Sequence, residues 1–245
     1  MRKYLIISLI IITILMIGMS TRNIKNEKVQ EVISSPSYIT DNTFSSKCMI
    51  AVDASNNNIL YEKNIHQKML PASLTKVLTC IVAIEHYNLD DYVVINYDMV
   101  NVEGSRIYLE VGDVISVRDL LYGLMLYSGN DAALALAYHY SGDINDFIIL
   151  MNEVCRKLKM NNSIFFNPHG LDSTNQNLTT AYDLAILFSY CLKNNTFRNI
   201  TGTKNYKCEI YSNRILSFRN KHRLIHSSPF ATGGKTGVVP IFCVI

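Results

Sequence analysis

The 245-residue chain lacks the marks of several protein classes, and each gap narrows what it can do. It has no self-similar period, which excludes a solenoid, propeller or other repeat array. It has no large charge of one sign: 23 Lys and Arg face 20 Asp and Glu, and an excess of +3 is too small to name a polyanionic partner such as nucleic acid. Its six cysteines form no C-x-x-C and no tight cluster, so they do not read as a disulfide framework. Cys80, Cys155 and Cys191 sit in apolar helical patterns, where a free thiol behaves as a small hydrophobe. His222 and His226 have a suggestive spacing but no third ligand nearby, so no metal is implied. There is no phosphate-binding loop and no G-x-S-x-G, and no histidine is placed by sequence to serve a serine. What remains is an ordinary balance of 49% hydrophobic and 18% charged residues, which specifies a globular fold able to bury a core without staples.

The N-terminus stands apart from that fold. Arg2 and Lys3 precede an apolar run from Leu5 to Met19, and the small residues Gly18 and Ser20 suit cleavage after position 20. The run is shorter than the roughly twenty residues that span a bilayer comfortably, which favours a cleaved secretory signal over 1–20 rather than an uncleaved anchor. Either reading places the rest outside the cytoplasm, with membrane association only through this segment. Residues 21–46 are rich in Asn, Ser and Lys without an apolar period, which reads as a polar linker. The domain is expected over 47–245.

Within it, Cys48 to Asp53, the turn-forming Asn56, Asn57 and Asn58, and Ile59 to Tyr61 predict a β-hairpin. After Pro71, apolar Leu74, Val77, Leu78, Ile81, Val82 and Ile84 surround nearly the whole helical circumference and predict a central, buried helix. A capping pair, Ser116 with Asp119, opens a helix that the Ser128, Gly129, Asn130 segment interrupts; helices follow from Asp131, through Phe147 to Val154, and from Thr180 and Asp183 toward Leu192. Strand character returns at Tyr206 to Ile210 and in 235–244. The expected class is α+β: an antiparallel sheet built from N- and C-terminal strands, with a helical subdomain inserted.

Three short elements carry chemistry. Ser73 and Lys76 form an S-x-x-K where the central helix begins, and a spacing of three puts both on one face, close enough for a neutral amine to take the hydroxyl proton. Burial and a second cation both depress a lysine pKa, and the apolar helix supplies the first condition. The Ser73 N–H, at the helix start, is free to stabilise an oxyanion. Ser128 and Asn130 lie at a helix break, where their polar groups can face a cleft. Lys235, Thr236 and Gly237, preceded by two further glycines, offer a fixed charge, a hydroxyl donor and a site of close backbone approach.

S-x-x-K, S-x-N and K-T-G in that order resemble the triplet of penicillin-binding proteins and serine β-lactamases. The flanks LYEKNIHQKMLPASLTKVLTCIVAIE, GSRIYLEVGDVISVRDLLYGLMLYSGNDAALALA and NPHGLD resemble one branch, the D-alanyl-D-alanine carboxypeptidases of the S11 peptidase family, from about Cys48 to Gly237. The resemblance implies the β-lactamase/transpeptidase-like fold and no cofactor. It implies that Ser73 attacks the terminal D-Ala-D-Ala bond of the peptidoglycan stem peptide, with Lys76 as its base and Ser128 as proton shuttle to the leaving D-alanine. Asn130 would hold the substrate amide, Lys235 and Thr236 its carboxylate, and the N–H groups of Ser73 and Val238 would form the oxyanion hole. β-Lactams would trap the same serine. Lys235, if close to Lys76, is the second cation that keeps the base neutral.

In such proteins the strand after K-T-G continues into further strands and a terminal helix, whereas here residues 238–245 end the sequence. The expectation is therefore a domain incomplete at its C-terminus, with Pro240 removing a ladder donor beside the active-site strand. Two alternatives share the cleft. A class A β-lactamase carries Asp in the middle of S-D-N and a deacylating glutamate; here the middle residue is Gly129, and no such glutamate motif is evident between Asn162 and Thr180. The other is a non-catalytic wall-binding protein in which the cleft survives without turnover.

Overall fold

A computed structural model describes residues 45–171, 177–211 and 213–237. The signal segment, nearly all of the linker, Val238, Cys243 and the expected C-terminal strand beyond Gly237 lie outside the described residues.

The chain opens as the expected hairpin. Strand β1 (Met49–Asp53) pairs antiparallel with β2 (Asn58–Lys63), from Met49 opposite Lys63 to Asp53 opposite Asn58. The turn closes because Asn57 takes a left-handed φ of 60° and donates its N–H to Asp53 O at 2.7 Å, while Asp53 Oδ1 also accepts from Ser55. A 3₁₀ turn (Ala72–Leu74) then feeds helix α1 (Thr75–His86). Every residue of α1 from Thr75 to Ala83 is buried, as an apolar pattern around the full circumference requires. It is wrapped by α4 (Asn130–Ser141), α5 (Ile144–Lys157), α6 (Ala181–Cys191) and α7 (Asn195–Gly202). Burial of Val77, Leu78, Ile81 and Val82 contributes roughly 1.5–3 kcal/mol each relative to exposure, so α1 anchors the core and cannot shift without disturbing it.

The capping signals act as read. Ser116 Oγ accepts from Asp119 N at 3.0 Å to start α3 (Val117–Tyr122), and Thr180 Oγ1 accepts from Asp183 N at 3.1 Å to start α6. After α3 the chain widens into a π turn over Gly123–Tyr127 that ends at Ser128, held left-handed at φ 68°.

Two features went unread in the sequence. Strands β3 (Tyr92–Val94) and β4 (Val114–Ser116) pair with only three residues each, too short to show alternation, and flank the short helix α2 (Tyr97–Val100). Strand β5 (Asn205–Glu209) finds its partner in β6 (Ile215–Arg219), followed by the one-turn helix α8 (Leu224–Ser227). The Tyr206 ring stacks on Tyr122 at 3.6 Å between centroids and its hydroxyl donates to Asp119 at 2.6 Å, which docks this hairpin on α3.

The class is α+β, but the sheet is not joined among the described residues. β1–β2, β3–β4 and β5–β6 are separate two-stranded units. The strand expected from Lys235 onward has no ladder partner as far as Gly237; residues 231–237 run as irregular chain. Its place is set by side-chain and van der Waals contacts instead, described next.

Candidate active site

Ser73 sits in the 3₁₀ turn that Pro71 opens with φ −74°, and Leu74 N donates to Pro71 O at 3.1 Å. One turn on, Lys76 is fully buried and its Nζ lies 3.4 Å from Ser73 Oγ. The same nitrogen donates to His169 O at 2.5 Å. Burial first, and the charge of Lys235 second, push the Lys76 pKa well below the usual lysine value; Lys221 adds to this and Asp131 opposes it. That shift favours the neutral amine, the form that proton abstraction from the neighbouring hydroxyl requires.

The loop at 166–170 clasps this helix start from across the sequence. Thr79 Oγ1 donates to Pro168 O at 2.6 Å. Buried Asn177 donates from Nδ2 to Thr75 Oγ1 at 3.1 Å and to Asn167 O at 3.2 Å, while its Oδ1 accepts from Phe166 N at 2.8 Å. Asn167 Oδ1 in turn accepts from Gly170 N at 2.6 Å. Gly170 is required here: its φ is +83°, and a Cβ would stand 1.9 Å from Ala72 O. The His169 ring accepts from Leu171 N at 3.0 Å, and burial followed by the neighbouring Lys76 lowers its pKa to about 4, so it stays neutral.

Ser128 and Asn130 face this pair from the helix break. The left-handed backbone at Ser128 turns its hydroxyl toward Lys235, whose Nζ donates to Ser128 Oγ at 2.9 Å. Asn130 N donates to Ser105 O at 2.7 Å, and its Nδ2 donates to Glu103 O at 2.6 Å, so the amide nitrogen is engaged by the strap at 103–109. Gly129 between them has no room for a side chain: a Cβ would meet Asp131 Oδ1 at 2.9 Å and Ile107 Cγ2 at 3.0 Å. The middle position of this S-x-N is thus closed to an aspartate unless its neighbours give way.

Lys235 is 5% exposed, and its Nζ also donates to Thr236 O at 2.6 Å. Burial, then the charge of Lys221, lower its pKa to about 7. Thr236 is exposed, and Gly237 lies against the nucleophile turn: a Cβ there would be 3.4 Å from Leu74 Cγ and 3.5 Å from Pro71 O. Ser73 with Lys76, Ser128 with Lys235, and Gly237 against Leu74 are thus brought together from three distant stretches, while Asn130 is held by the strap beside Ser128 and Thr236 is exposed; Val238 lies outside the described residues. Two walls result: the helix start clasped by 166–170, and the 231–237 segment.

Sequence reading missed Asp131, Asn177, His169 and Lys221. Asp131 is buried, and its carboxylate accepts from Ile107 N at 3.0 Å, Leu109 N at 3.2 Å and Ala132 N at 2.9 Å, which holds Tyr108 at φ 61° and fixes the strap. Burial raises its pKa while those N–H bonds lower it, with a net rise. Its place directly after S-x-N was the available signal; Asn177 offered none, since its partner Thr75 is 102 residues away. His222 is half-buried against Gly234, and His226 Nε2 donates to Asn220 O at 2.8 Å. Among the described residues no group of three or more His, Cys, Asp or Glu is arranged to hold a metal. None of the described helices is long and apolar enough to cross a membrane.

Comparison with known proteins points to one family. The family model for peptidase S11, described as D-alanyl-D-alanine carboxypeptidase, matches residues 31–240. The D-alanyl-D-alanine carboxypeptidase DacF of Bacillus subtilis is 31% identical over 197 residues, 78% of this chain and 50% of that protein, so this chain spans half the length of that relative. The crystal structure of a D-alanyl-D-alanine carboxypeptidase from Mycobacterium tuberculosis superposes with a TM-score of 0.78 at 27% identity, covering 84% of this chain and 77% of the other. The Streptomyces K15 DD-transpeptidase gives 0.76 at 32% identity, covering 83% and 84%.

Proposed function

The chain belongs to the peptidase S11 family of D-alanyl-D-alanine carboxypeptidases, and on that premise we propose that it removes the terminal D-alanine from peptidoglycan stem peptides through a serine acyl-enzyme. The observation that carries this is Lys76, buried, with its Nζ 3.4 Å from Ser73 Oγ and its pKa far below the usual value.

In this mechanism Ser73 Oγ attacks the carbonyl of the D-Ala-D-Ala bond as Lys76 Nζ takes its proton. The tetrahedral oxyanion points at the N–H groups of Ser73 and Val238, which replace solvent as donors. When the bond to the leaving D-alanine breaks, its nitrogen takes a proton from Ser128 Oγ, which is resupplied with the proton that Lys76 took from Ser73, so Lys76 is neutral again while Lys235 Nζ, 2.9 Å from Ser128 Oγ, keeps its charge. Asn130 orients the substrate amide; Lys235 and Thr236 engage the terminal carboxylate; Gly237 lets the substrate backbone lie close. Water, deprotonated by Lys76, then frees the acyl group and regenerates Ser73. A β-lactam is attacked in the same way but leaves no departing fragment, so its adduct persists. The domain doing this chemistry is 47–245, exported by the leader at 1–20 and acting at the cell wall.

The test is release of D-alanine from a D-Ala-D-Ala peptide, together with labelling of Ser73 by a fluorescent penicillin, both absent in Ser73→Ala. Rapid turnover of a chromogenic cephalosporin without D-alanine release favours a β-lactamase. A lasting adduct or tight peptide binding without release favours a non-catalytic binder.

A further inference from the structure

Beside the cluster lies a cleft of about 530 Å³ lined by Tyr127, Arg219, Asn220, Lys221, Arg223 and His226. Three cations and a histidine share it, and no carboxylate lines it. Among the described residues the side chains of Arg219, Lys221 and Arg223 make no ion pair with an acid. Like charges gathered without a counter-charge repel, so the fold alone gives no reason to assemble them.

The turn that bears these cations is nevertheless fixed in place. Asn220 is buried and staples the turn that bears them: Nδ2 donates to Thr201 O at 3.0 Å and Thr203 O at 2.9 Å, and Oδ1 accepts from His222 N at 2.9 Å. Lys221 N donates to Leu126 O at 3.0 Å, which ties the turn to the π segment, and Lys221 Nζ rests over the Tyr127 ring at 4.0 Å. Tyr127 precedes Ser128 directly, and Lys221 is close enough for its charge to act on Lys235 and Lys76.

We propose that this cleft is a second subsite that binds an oxyanion of the wall polymer, a carboxylate or phosphate distinct from the terminal carboxylate at Lys235 and Thr236. It rests on the carboxypeptidase reading, because the anion arrives on the same polymer as the scissile bond. An anion here also offsets Lys221, whose charge lowers the pKa of both Lys235 and Lys76. Occupancy of the cleft thereby removes the lesser cause of the lowered Lys235 pKa, burial being the larger, and favours the charged form to which the terminal carboxylate would dock.

The experiment compares two D-Ala-D-Ala peptides of equal length on the full chain, one with an upstream carboxylate and one with that group amidated. The expected kcat/KM is about tenfold higher for the carboxylate form, falling to near parity in Lys221→Gln/Arg223→Gln and at high salt. A glycerol-phosphate trimer that inhibits at lower concentration than the carboxylate peptide binds assigns the cleft to a phosphodiester source. Equal kcat/KM for both peptides in the unmodified protein, with D-alanine released from each, overturns the subsite and leaves the carboxypeptidase intact. If neither peptide is cleaved, the catalytic reading fails, and calorimetric binding decides the subsite: tighter binding of the carboxylate peptide supports it, and equal affinity overturns it.

Discussion

The two walls of the cleft are held by different means. The wall carrying Ser73 and Lys76 is clasped through Thr75, Thr79, Asn167, Asn177 and Gly170, by hydrogen bonds that reach up to 102 residues along the chain. The wall carrying Lys235 has no ladder bonds among the described residues; Lys235 Nζ reaches Ser128, and Gly237 rests on Leu74. One wall is over-determined and the other is placed by a few contacts. Ser73 and Lys76, the proposed nucleophile and base, are thus rigid by construction, while the proposed role of the cationic segment is to tune electrostatics and substrate affinity. Damage to the first wall should abolish chemistry or folding; damage to the second should change binding and pH response while the fold survives.

The sharpest break is at the nucleophile pair. Ser73→Ala and Lys76→Ala should each lower D-alanine release and penicillin acylation by at least about a thousandfold, measured by single-turnover kinetics, with the urea midpoint of Ser73→Ala little changed. Retained acylation in either variant would dissolve the comparison.

Next comes a matched pair of glycines. Gly170→Ala forces a Cβ into Ala72 O at a positive φ and should cost about 3 kcal/mol or more in urea unfolding. Gly237→Ala meets only ordinary contacts, and its stability should stay within about 0.5–1 kcal/mol of the parent. Equal losses would mean that the two walls are equally constrained.

Lys235→Ala should lower kcat/KM for peptides with a free terminal carboxylate by about tenfold to a hundredfold, and much less for an amidated terminus. The smallest effect is the pH response. With Lys235 titrating at about 7, kcat/KM should decline above that pH as the cation is lost, whereas protonation of Lys76 sets an acid limb. The stability sign is opposite to the alkaline loss of activity. An unfolded lysine titrates near 10.4, so between about pH 7 and 10 the unfolded state binds more protons, and stability contributed by Lys235 rises with pH there. Thermal melts across that window check it against Lys235→Ala, which should show a flatter dependence.

Much of this was legible in sequence because it is local. The spacing of Ser73 and Lys76, the capping pairs at Ser116 and Thr180 and the all-apolar α1 are each decided within one or two helical turns. What stayed hidden was either too short or too distant. β3 and β4 have three residues apiece and cannot show a period of two. The π turn before Ser128 is fixed by packing of Gly123 against Ile107, and Asp131 seats itself on N–H groups more than twenty residues upstream. Most of the strand expected over 235–244 lies outside the described residues; as far as Gly237 no neighbouring edge meets it.

The contact of Gly170 with Ala72 has a consequence for how the protein can be watched. Two stretches of backbone almost a hundred positions apart must meet before the amine and hydroxyl are aligned, and such distant loop closures are slow steps in folding. Under the proposed acylation of Ser73, covalent capture by a drug reports on molecules that have completed this closure and ignores those that have not. Gel fluorescence after a timed pulse of labelled penicillin becomes a clock for maturation of the newly made chain.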